Sequence, residues 1–157
     1  MRIHLIAVGR KAPRWVEEGY QAFAKRLPPE CALALIEVDT PKRRKGGAVE
    51  QLMERECELL RAAIPRGAYV VAMDEHGQAW TTRQLAGKLA DWLQGGQDVA
   101  LLVGGPDGLS PACRESVHEQ WSLSPLTLPH MLCRVLIAEQ LYRAWSVLHG
   151  HPYHRGE

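Results

Sequence analysis

Short apolar runs alternate with segments of helical periodicity along the whole chain. The runs are rich in branched and aliphatic residues and end at glycine, proline or charged residues, as strands do. The predicted strands are 2–8, 32–38, 68–73, 99–103 and 121–123. The predicted helices are 13–26, 50–63, 81–93, 110–119 and 131–148. This alternation predicts an α/β fold in which helices flank a mostly parallel sheet.

The length of the chain favours one domain. A chain of 157 residues can bury a core of its own but is short for two domains, so residues 1–157 are expected to form a single one. Apolar residues make up 46% and charged residues 24%, which excludes a disordered or membrane-embedded chain. The apolar start, residues 1–8, is too short for a secretory signal or a membrane span. We therefore expect a cytoplasmic protein without a membrane partner.

Cysteine and histidine spacing argues against a metal site. The four cysteines are Cys31, Cys57, Cys113 and Cys133, and they form no CxxC pair. Zinc sites and disulfide frameworks show regular cysteine spacing, so reduced and partly buried thiols are expected instead. His149, His151 and His154 cluster near the end but lack cysteine or carboxylate ligands at zinc spacings. We expect no bound metal.

The net charge is only +1, so a nucleic-acid partner would have to bind through a local basic patch and through shape. The run Lys42-Arg-Arg-Lys-Gly-Gly47 is one such patch, in a loop whose conformation the sequence does not fix. It can hold phosphates, or it can be a solvated charge run, which is the commoner role of such segments.

The strand predicted over 99–103 runs into Gly104-Gly-Pro-Asp-Gly108. Glycine permits close approach of a ligand to the backbone, and Pro106 fixes a bend, but the same residues also make ordinary tight turns. The segment is not a P-loop, because no Gly-Lys-Ser/Thr follows it. No GxGxxG follows any predicted strand, so a dinucleotide is disfavoured.

A second bent segment, Ser124-Pro-Leu-Thr-Leu-Pro129, follows the last predicted strand. Its backbone can present N–H and C=O groups to the edge of a planar base, with Leu126 and Leu128 flanking the ring. The leucines can equally plug the core. Together with Gly104–Gly108 and the predicted loop after Met73, it would enclose a pocket at the carboxyl edge of a parallel sheet.

The last predicted helix, Met131–Leu148, is apolar on more than one side. In a chain this small, a second subunit is the economical cover for such a helix, so we expect a homodimer. Glu139 and Arg143 stand four residues apart, the spacing of an ion pair on a helix.

Site candidates flank this helix. His130 adjoins the second bent segment and can titrate or form hydrogen bonds near neutral pH, and Arg134 lies one helical turn further. At the other end, Tyr153, His154 and Arg155 combine a stacking ring, a titratable group and a phosphate-pairing guanidinium, which suits contact with RNA. Terminal tails fray unless they are held, so this tail must be held, for example across a dimer.

Four motifs follow one another in the last third of the chain. They are Leu101-Leu-Val-Gly-Gly-Pro-Asp-Gly-Leu-Ser-Pro-Ala-Cys113, Trp121–His130, Glu139-Gln-Leu-Tyr-Arg-Ala-Trp-Ser146 and His151-Pro-Tyr-His-Arg155. With Ala7-Val-Gly9 near the start, they make the chain resemble the ribosomal RNA large subunit methyltransferase H family. Members are SPOUT enzymes that methylate N3 of a pseudouridine in 23S rRNA. The sequence departs slightly, with Asp107 where Glu is common and an additional Gly156-Glu157.

The resemblance implies a homodimeric enzyme that binds S-adenosylmethionine and acts on 23S rRNA in the assembled ribosome. It implies a carboxyl-terminal trefoil knot within about 68–157, which periodicity could not show. The implied cofactor-contacting residues are Met73, Gly105, Ser124, Pro125, Leu126, Thr127, Leu128 and Pro129. The implied substrate-positioning candidates are His130, Arg134, Tyr153, His154 and Arg155, with the last three contributed by a partner subunit.

Three points stay open at the level of sequence. The group that accepts the N3 proton can be His130, His154 or solvent. A SPOUT enzyme of another specificity, such as ribose 2′-O methylation, would share the same loops. A non-catalytic RNA-binding module would keep the basic loop and the tail without binding the cofactor.

Overall fold

The computed structural model describes residues 1–42 and 46–155. Its strands are β1 (Arg2–Val8), β2 (Ala32–Val38), β3 (Tyr69–Ala79), β4 (Val99–Val103) and β5 (Glu119–Ser122). Its helices are α1 (Arg14–Ala24), α2 (Val49–Ala62), α3 (Thr82–Gly95), α4 (Pro111–Glu115) and α5 (His130–Leu148). Short 3-10 turns cover Pro29–Cys31 and Pro152–His154.

The five strands form one sheet in the order β2-β1-β4-β3-β5, and each neighbouring pair is parallel. The predicted α/β fold with a parallel sheet is thereby confirmed. The order brings β1 and β4, almost 100 residues apart in the chain, into direct pairing, as in Ile3 opposite Val99. The knot stays an expectation from the resemblance.

Helices cover each face of the sheet. One core contains side chains of α1, α3 and α5 packed on alternate residues of the strands, such as Leu5 and Leu101. The opposite core contains side chains of α2 and α4 packed on the intervening residues, such as Ile6 and Leu102. This explains why β1 and β4 are continuously apolar, since central parallel strands bury side chains on two faces.

Side-chain caps define the starts of α3 and α4. The Thr81 hydroxyl accepts a hydrogen bond from the Gln84 N–H, and the Gln84 side chain accepts one from the Thr81 N–H, which is a complete capping box. The Ser110 hydroxyl accepts a hydrogen bond from the Cys113 N–H, with Pro111 at the first helical position. These caps fix where the chain leaves the sheet.

Two predicted boundaries were wrong by four residues or more. Residues 74–79 were expected in a loop, but β3 continues through them beyond an irregularity at which Met73 and Gln78 are each registered opposite Trp121. Gly77 permits this pairing, because a Cβ there would lie 2.8 Å from the Gln120 carbonyl carbon. Residues 74–79 are polar and include a glycine, which is typical of a loop. They form a strand because they pair with β5 at the edge of the sheet.

The second error concerns α4, which ends at Glu115 rather than near Glu119. The His118 N–H donates to the Val70 carbonyl, and Glu119 already belongs to β5. Sheet pairing therefore displaces the last predicted turn of this helix.

Of the helices in the described ranges, none combines the length and apolarity needed to cross a membrane. The cysteines are free thiols, three of them buried, as the sequence predicted.

Candidate functional site

The loops after β1, β4 and β5 lie at one edge of the sheet, because the strands are parallel. The carboxyl edge of a parallel sheet is where α/β proteins place ligands. The β4 loop contains Gly104–Gly108, and the β5 loop contains Ser124–Pro129. Met73, half-buried in β3, lies at the irregularity opposite Trp121. The structure thus places the predicted cofactor residues on neighbouring elements at one edge.

The Gly104–Gly108 segment is a tight turn. The Gly108 N–H donates to the Gly105 carbonyl at 3.0 Å, and Gly108 has a φ of +80°. A Cβ on Gly104 would lie 2.7 Å from the Gly108 carbonyl carbon. A Cβ on Gly105 would lie 2.6 Å from Oε2 of Glu56, a buried side chain of α2. The bare backbone of Gly105 is therefore already needed to accommodate Glu56.

Replacing Gly105 with alanine is expected to lower the free energy of unfolding by about 1 to 3 kcal/mol, because Glu56 has to move. Gly87, exposed on α3, has open space around its Cβ position and is the matched control. Gly87→Ala should stabilise the protein by about 0.5 to 1 kcal/mol, the gain of alanine over glycine within a helix. Urea unfolding measures each change. A Gly105→Ala variant as stable as wild type would show that Glu56 does not constrain this position.

The Ser124–Pro129 loop is fixed by its own hydroxyl groups and by β3. The Ser122 hydroxyl donates to the Ser124 carbonyl, and the Leu126 N–H donates to the Ser124 hydroxyl, at 2.9 Å in each case. The Thr127 hydroxyl donates to Glu75 at 2.6 Å. Glu75 lies in the part of β3 that sequence reasoning took for a loop, so this support was missed.

The leucines of this loop differ in exposure. Leu126 is 71% exposed and Leu128 is half-buried, so Leu126 does not plug the core. An exposed leucine on a loop held by hydrogen bonds offers an apolar surface and backbone groups to a flat ring. The Glu75 carboxylate beside Thr127 suits a ligand that carries positive charge. This combination of an apolar side chain, backbone polar groups and a carboxylate fits S-adenosylmethionine, which has an adenine ring, a sulfonium and an ammonium group.

Arg134 is 1% exposed and joins the start of α5 to the ends of β1 and β2. Its guanidinium donates to Glu37 at 2.7 Å, to the Gly9 carbonyl at 2.8 Å and to the Val8 carbonyl at 3.3 Å. A guanidinium buried among these acceptors contacts the protein rather than a substrate. Its influence on the site is therefore through the placement of α5 and the β1 loop.

His130 begins α5 directly after the Ser124–Pro129 loop and is half-buried. Its Nε2 lies 3.8 Å from where a Cβ on Gly9 would be, so it is close to the β1 loop. Burial lowers the pKa of His130, and the neighbouring Arg134 charge lowers that pKa further. The imidazole is therefore neutral at pH 7 and able to accept a proton.

NMR titration of His130 is expected to give a midpoint below the 6.5 of an unperturbed histidine. As pH falls below about 6.5, the unfolded chain binds this proton before the folded chain does, so stability is lost on acidification. His130→Gln should remove the assigned resonance and flatten that part of the stability profile. A midpoint above 6.5 would contradict the neutral assignment.

The tail is held by its own helix α5. The Tyr153 hydroxyl donates to Glu139 at 2.9 Å, and Nδ1 of His154 is 3.1 Å from the Ser146 hydroxyl. The Arg143 guanidinium lies 5.1 Å from the Tyr153 ring centroid and forms the predicted ion pair with Glu139 at 2.6 Å. Burial and the adjacent Glu139 raise the pKa of Tyr153, so its hydroxyl stays protonated at neutral pH. Sequence reasoning found the Glu139–Arg143 pair but missed its role as the anchor of Tyr153.

One chain does not bring the two ends of the predicted site together. Ser146, which holds His154, follows His130 by 16 residues on α5. An α-helix rises 1.5 Å per residue, so these positions are about 24 Å apart along the axis. Arg155 is exposed at the same end as His154. The two groups of candidates cannot act on one small target within one chain.

Three further features were considered as binding groups: a metal site, the histidines near the end of the chain and the basic loop. In the parts of the chain that the structure describes, no group of three or more His, Cys, Asp or Glu side chains is placed to hold a metal ion. His149 stacks on Trp145 with ring centroids 4.6 Å apart. The phosphate hypothesis for Lys42–Gly47 depends on residues 43–45, which lie outside the described residues.

Comparison with known proteins identifies the class. A family model described as "Predicted SPOUT methyltransferase" matches residues 1–154, and the chain belongs to this family. A probable methylase family protein from Haemophilus influenzae Rd KW20 has a similar structure, with a TM-score of 0.56 and 14% identity. The match covers 97% of this chain and 69% of that one, and it supports the fold.

Within that class, two closely similar relatives carry the same name. The ribosomal RNA large subunit methyltransferase H of Hahella chejuensis is 56% identical over 155 residues, 99% of each chain. That of Nitrosococcus oceani is 53% identical over the same length and share. This places the chain among the ribosomal RNA large subunit methyltransferase H proteins. The prediction of a methyltransferase is confirmed, and S-adenosylmethionine is the methyl donor of SPOUT enzymes.

Proposed function

We propose that the protein transfers a methyl group from S-adenosylmethionine to N3 of a pseudouridine in the 23S rRNA of the ribosome, in the cytoplasm. The observation that carries this proposal is full-length identity of 56% to a protein named ribosomal RNA large subunit methyltransferase H. The exposed Leu126 on a fixed loop supports it from the structure, since such a loop suits the adenine of the cofactor.

Methyl transfer to an imide nitrogen needs alignment and the removal of one proton. When bound, S-adenosylmethionine supplies a methyl group already activated by the positive charge on its sulfur. The backbone of Ser124–Pro129 and the Leu126 side chain would hold the adenine, and the Gly104–Gly108 turn and Met73 would form the adjoining walls. The neutral imidazole of His130 accepts the N3 proton.

The enzyme works as a homodimer in this proposal. His154 is held about 24 Å along α5 from His130, so a second subunit has to bring a tail to each cofactor loop. Trp15 on α1 is 58% exposed and Leu148 on α5 is 38% exposed, leaving apolar surface on two adjacent helices. Burial of such surface favours association. The partner subunit's Tyr153, His154 and Arg155 then position the pseudouridine.

The assembled ribosome is the proposed substrate. A net charge of +1 gives the chain little long-range attraction to free RNA, so shape must supply the remaining contacts. Two samples are compared: ribosomes from a strain without this modification, and protein-free 23S rRNA. Each is incubated with the enzyme and with cofactor that carries a labelled methyl group. Label is expected in the ribosomal sample and far less in free RNA. Equal labelling would contradict the proposed substrate, and no labelling of either would contradict the function.

A further inference from the structure

The loop between β1 and α1, residues 9–13, is separate from the two cofactor loops and from the tail. Lys11 has a φ of +60°, and it is the sole non-glycine residue with positive φ in ranges 1–42 and 46–155. The left-handed region is unfavourable for a side chain with a Cβ, because that atom crowds the backbone. Strained backbone of this kind concentrates at functional sites.

The backbone just before Lys11 is held by hydrogen bonds. The Gly9 N–H donates to the Val38 carbonyl at 2.9 Å, and Arg134 donates to the Val8 and Gly9 carbonyls. The Arg10 guanidinium donates to Asp39. Lys11 therefore follows two residues whose positions are held by contacts with β2 and α5.

The position of the loop relates it to the proposed methyl-transfer site. A Cβ on Gly9 would lie 3.1 Å from Cε of Met131 and 3.8 Å from Nε2 of His130. Lys11 is two residues further, so its backbone is within about 7 Å of that of Gly9. A flexible four-carbon stem lets its ammonium reach the surroundings of His130.

Lys11 also differs from its basic neighbours in charge pairing. Arg10 pairs with Asp39 and Arg14 pairs with Glu18 at 2.9 Å. The Lys11 side chain is exposed, and among the residues described here it has no carboxylate in ion-pair contact. Its ammonium is thus the basic group of this loop that is available to an external anion.

We propose that Lys11 contacts a backbone phosphate of the RNA substrate beside the nucleotide that is methylated. The proposal rests on the proposed function, which supplies the RNA. A glycine would adopt this backbone without strain, so a lysine at this position costs stability. Its contact positions the RNA and takes no part in the proton transfer.

The test is a salt titration of binding to large ribosomal subunits with Lys11→Gly and Lys11→Asn, which each tolerate positive φ. Lys25→Asn, at the far end of α1, removes the same charge and is the control. The Lys11 variants should reduce the slope of log Kd against log salt by about 1, the value for one phosphate contact. Lys11→Gly should also melt at the wild-type temperature or above it.

Each outcome has a distinct meaning. A wild-type salt slope in the Lys11 variants, or an equal loss in Lys25→Asn, would overturn the phosphate contact. Weaker S-adenosylmethionine binding by calorimetry with an unchanged salt slope would also overturn it, since Lys11 would then serve the cofactor. Binding is measured without turnover, so absence of methylation by the wild type would count against the proposed function alone.

Discussion

Replacing Arg134 with alanine is expected to lower the free energy of unfolding by about 3 to 5 kcal/mol, because the buried guanidinium is lost from its ion pair with the partly buried Glu37 and from two carbonyl groups. The change leaves the Glu37 carboxylate and the Val8 and Gly9 carbonyls without this donor. These acceptors lie in β2, at the end of β1 and just after it, more than 90 residues from Arg134 in the chain. The loss therefore removes the polar contacts between the start of α5 and the sheet and leaves their acceptors unsatisfied.

Urea unfolding followed by circular dichroism measures this loss. Arg14→Ala is the matched control, because Arg14 forms its ion pair with Glu18 on the surface of α1, where such pairs contribute little. It should change the free energy of unfolding far less. An Arg134→Ala variant within about 1 kcal/mol of wild type would mean that its buried pair does not hold α5 in place.

A mixed dimer is expected to regain about half of the wild-type turnover when each of its subunits is inactive alone. One subunit carries Gly105→Ala, which disturbs the proposed cofactor turn against Glu56. The other carries His154→Ala and Arg155→Ala, which remove proposed substrate-positioning contacts and should lower turnover at least about 100-fold. If each site combines the loop of one chain with the tail of the other, one of the two sites in the mixed dimer is intact.

The mixed dimer is isolated with two affinity tags and compared with each doubly tagged parent. Calorimetry first establishes that the tail variant binds S-adenosylmethionine like the wild type and that the Gly105 variant binds it more weakly. A mixed dimer no more active than its parents would contradict the two-chain site, because a tail serving its own chain leaves both sites defective. Full turnover in the tail variant alone would contradict its substrate role.

Local chemistry explains why much of the fold was predictable. Three strands, 2–8, 32–38 and 99–103, have the predicted bounds, because continuous apolar runs between turn residues match the burial of a parallel sheet. The caps at Thr81 and Ser110 were likewise predictable, since capping is decided within four residues. The positions of the Gly104–Gly108 and Ser124–Pro129 loops were predictable because each begins within two residues of the end of a predicted strand.

Long-range pairing explains what was not predictable. The extension of β3 through 74–79 depends on its partner β5 and on the fit of Gly77 against Gln120, which no local pattern encodes. Arg134 at one turn from His130 suggested substrate contact, and its acceptors on β1 and β2 could be found only in three dimensions. The left-handed backbone of Lys11 had no signal in the sequence, because lysine does not favour it.

The position of the transferred methyl group tests the central claim most directly. Ribosomes lacking the modification are treated with enzyme and S-adenosylmethionine, and the 23S rRNA is digested and mapped by mass spectrometry. We predict a single methyl group on the base of one pseudouridine, at N3. A methyl group on a ribose 2′-oxygen, on another base or on a ribosomal protein would contradict the account.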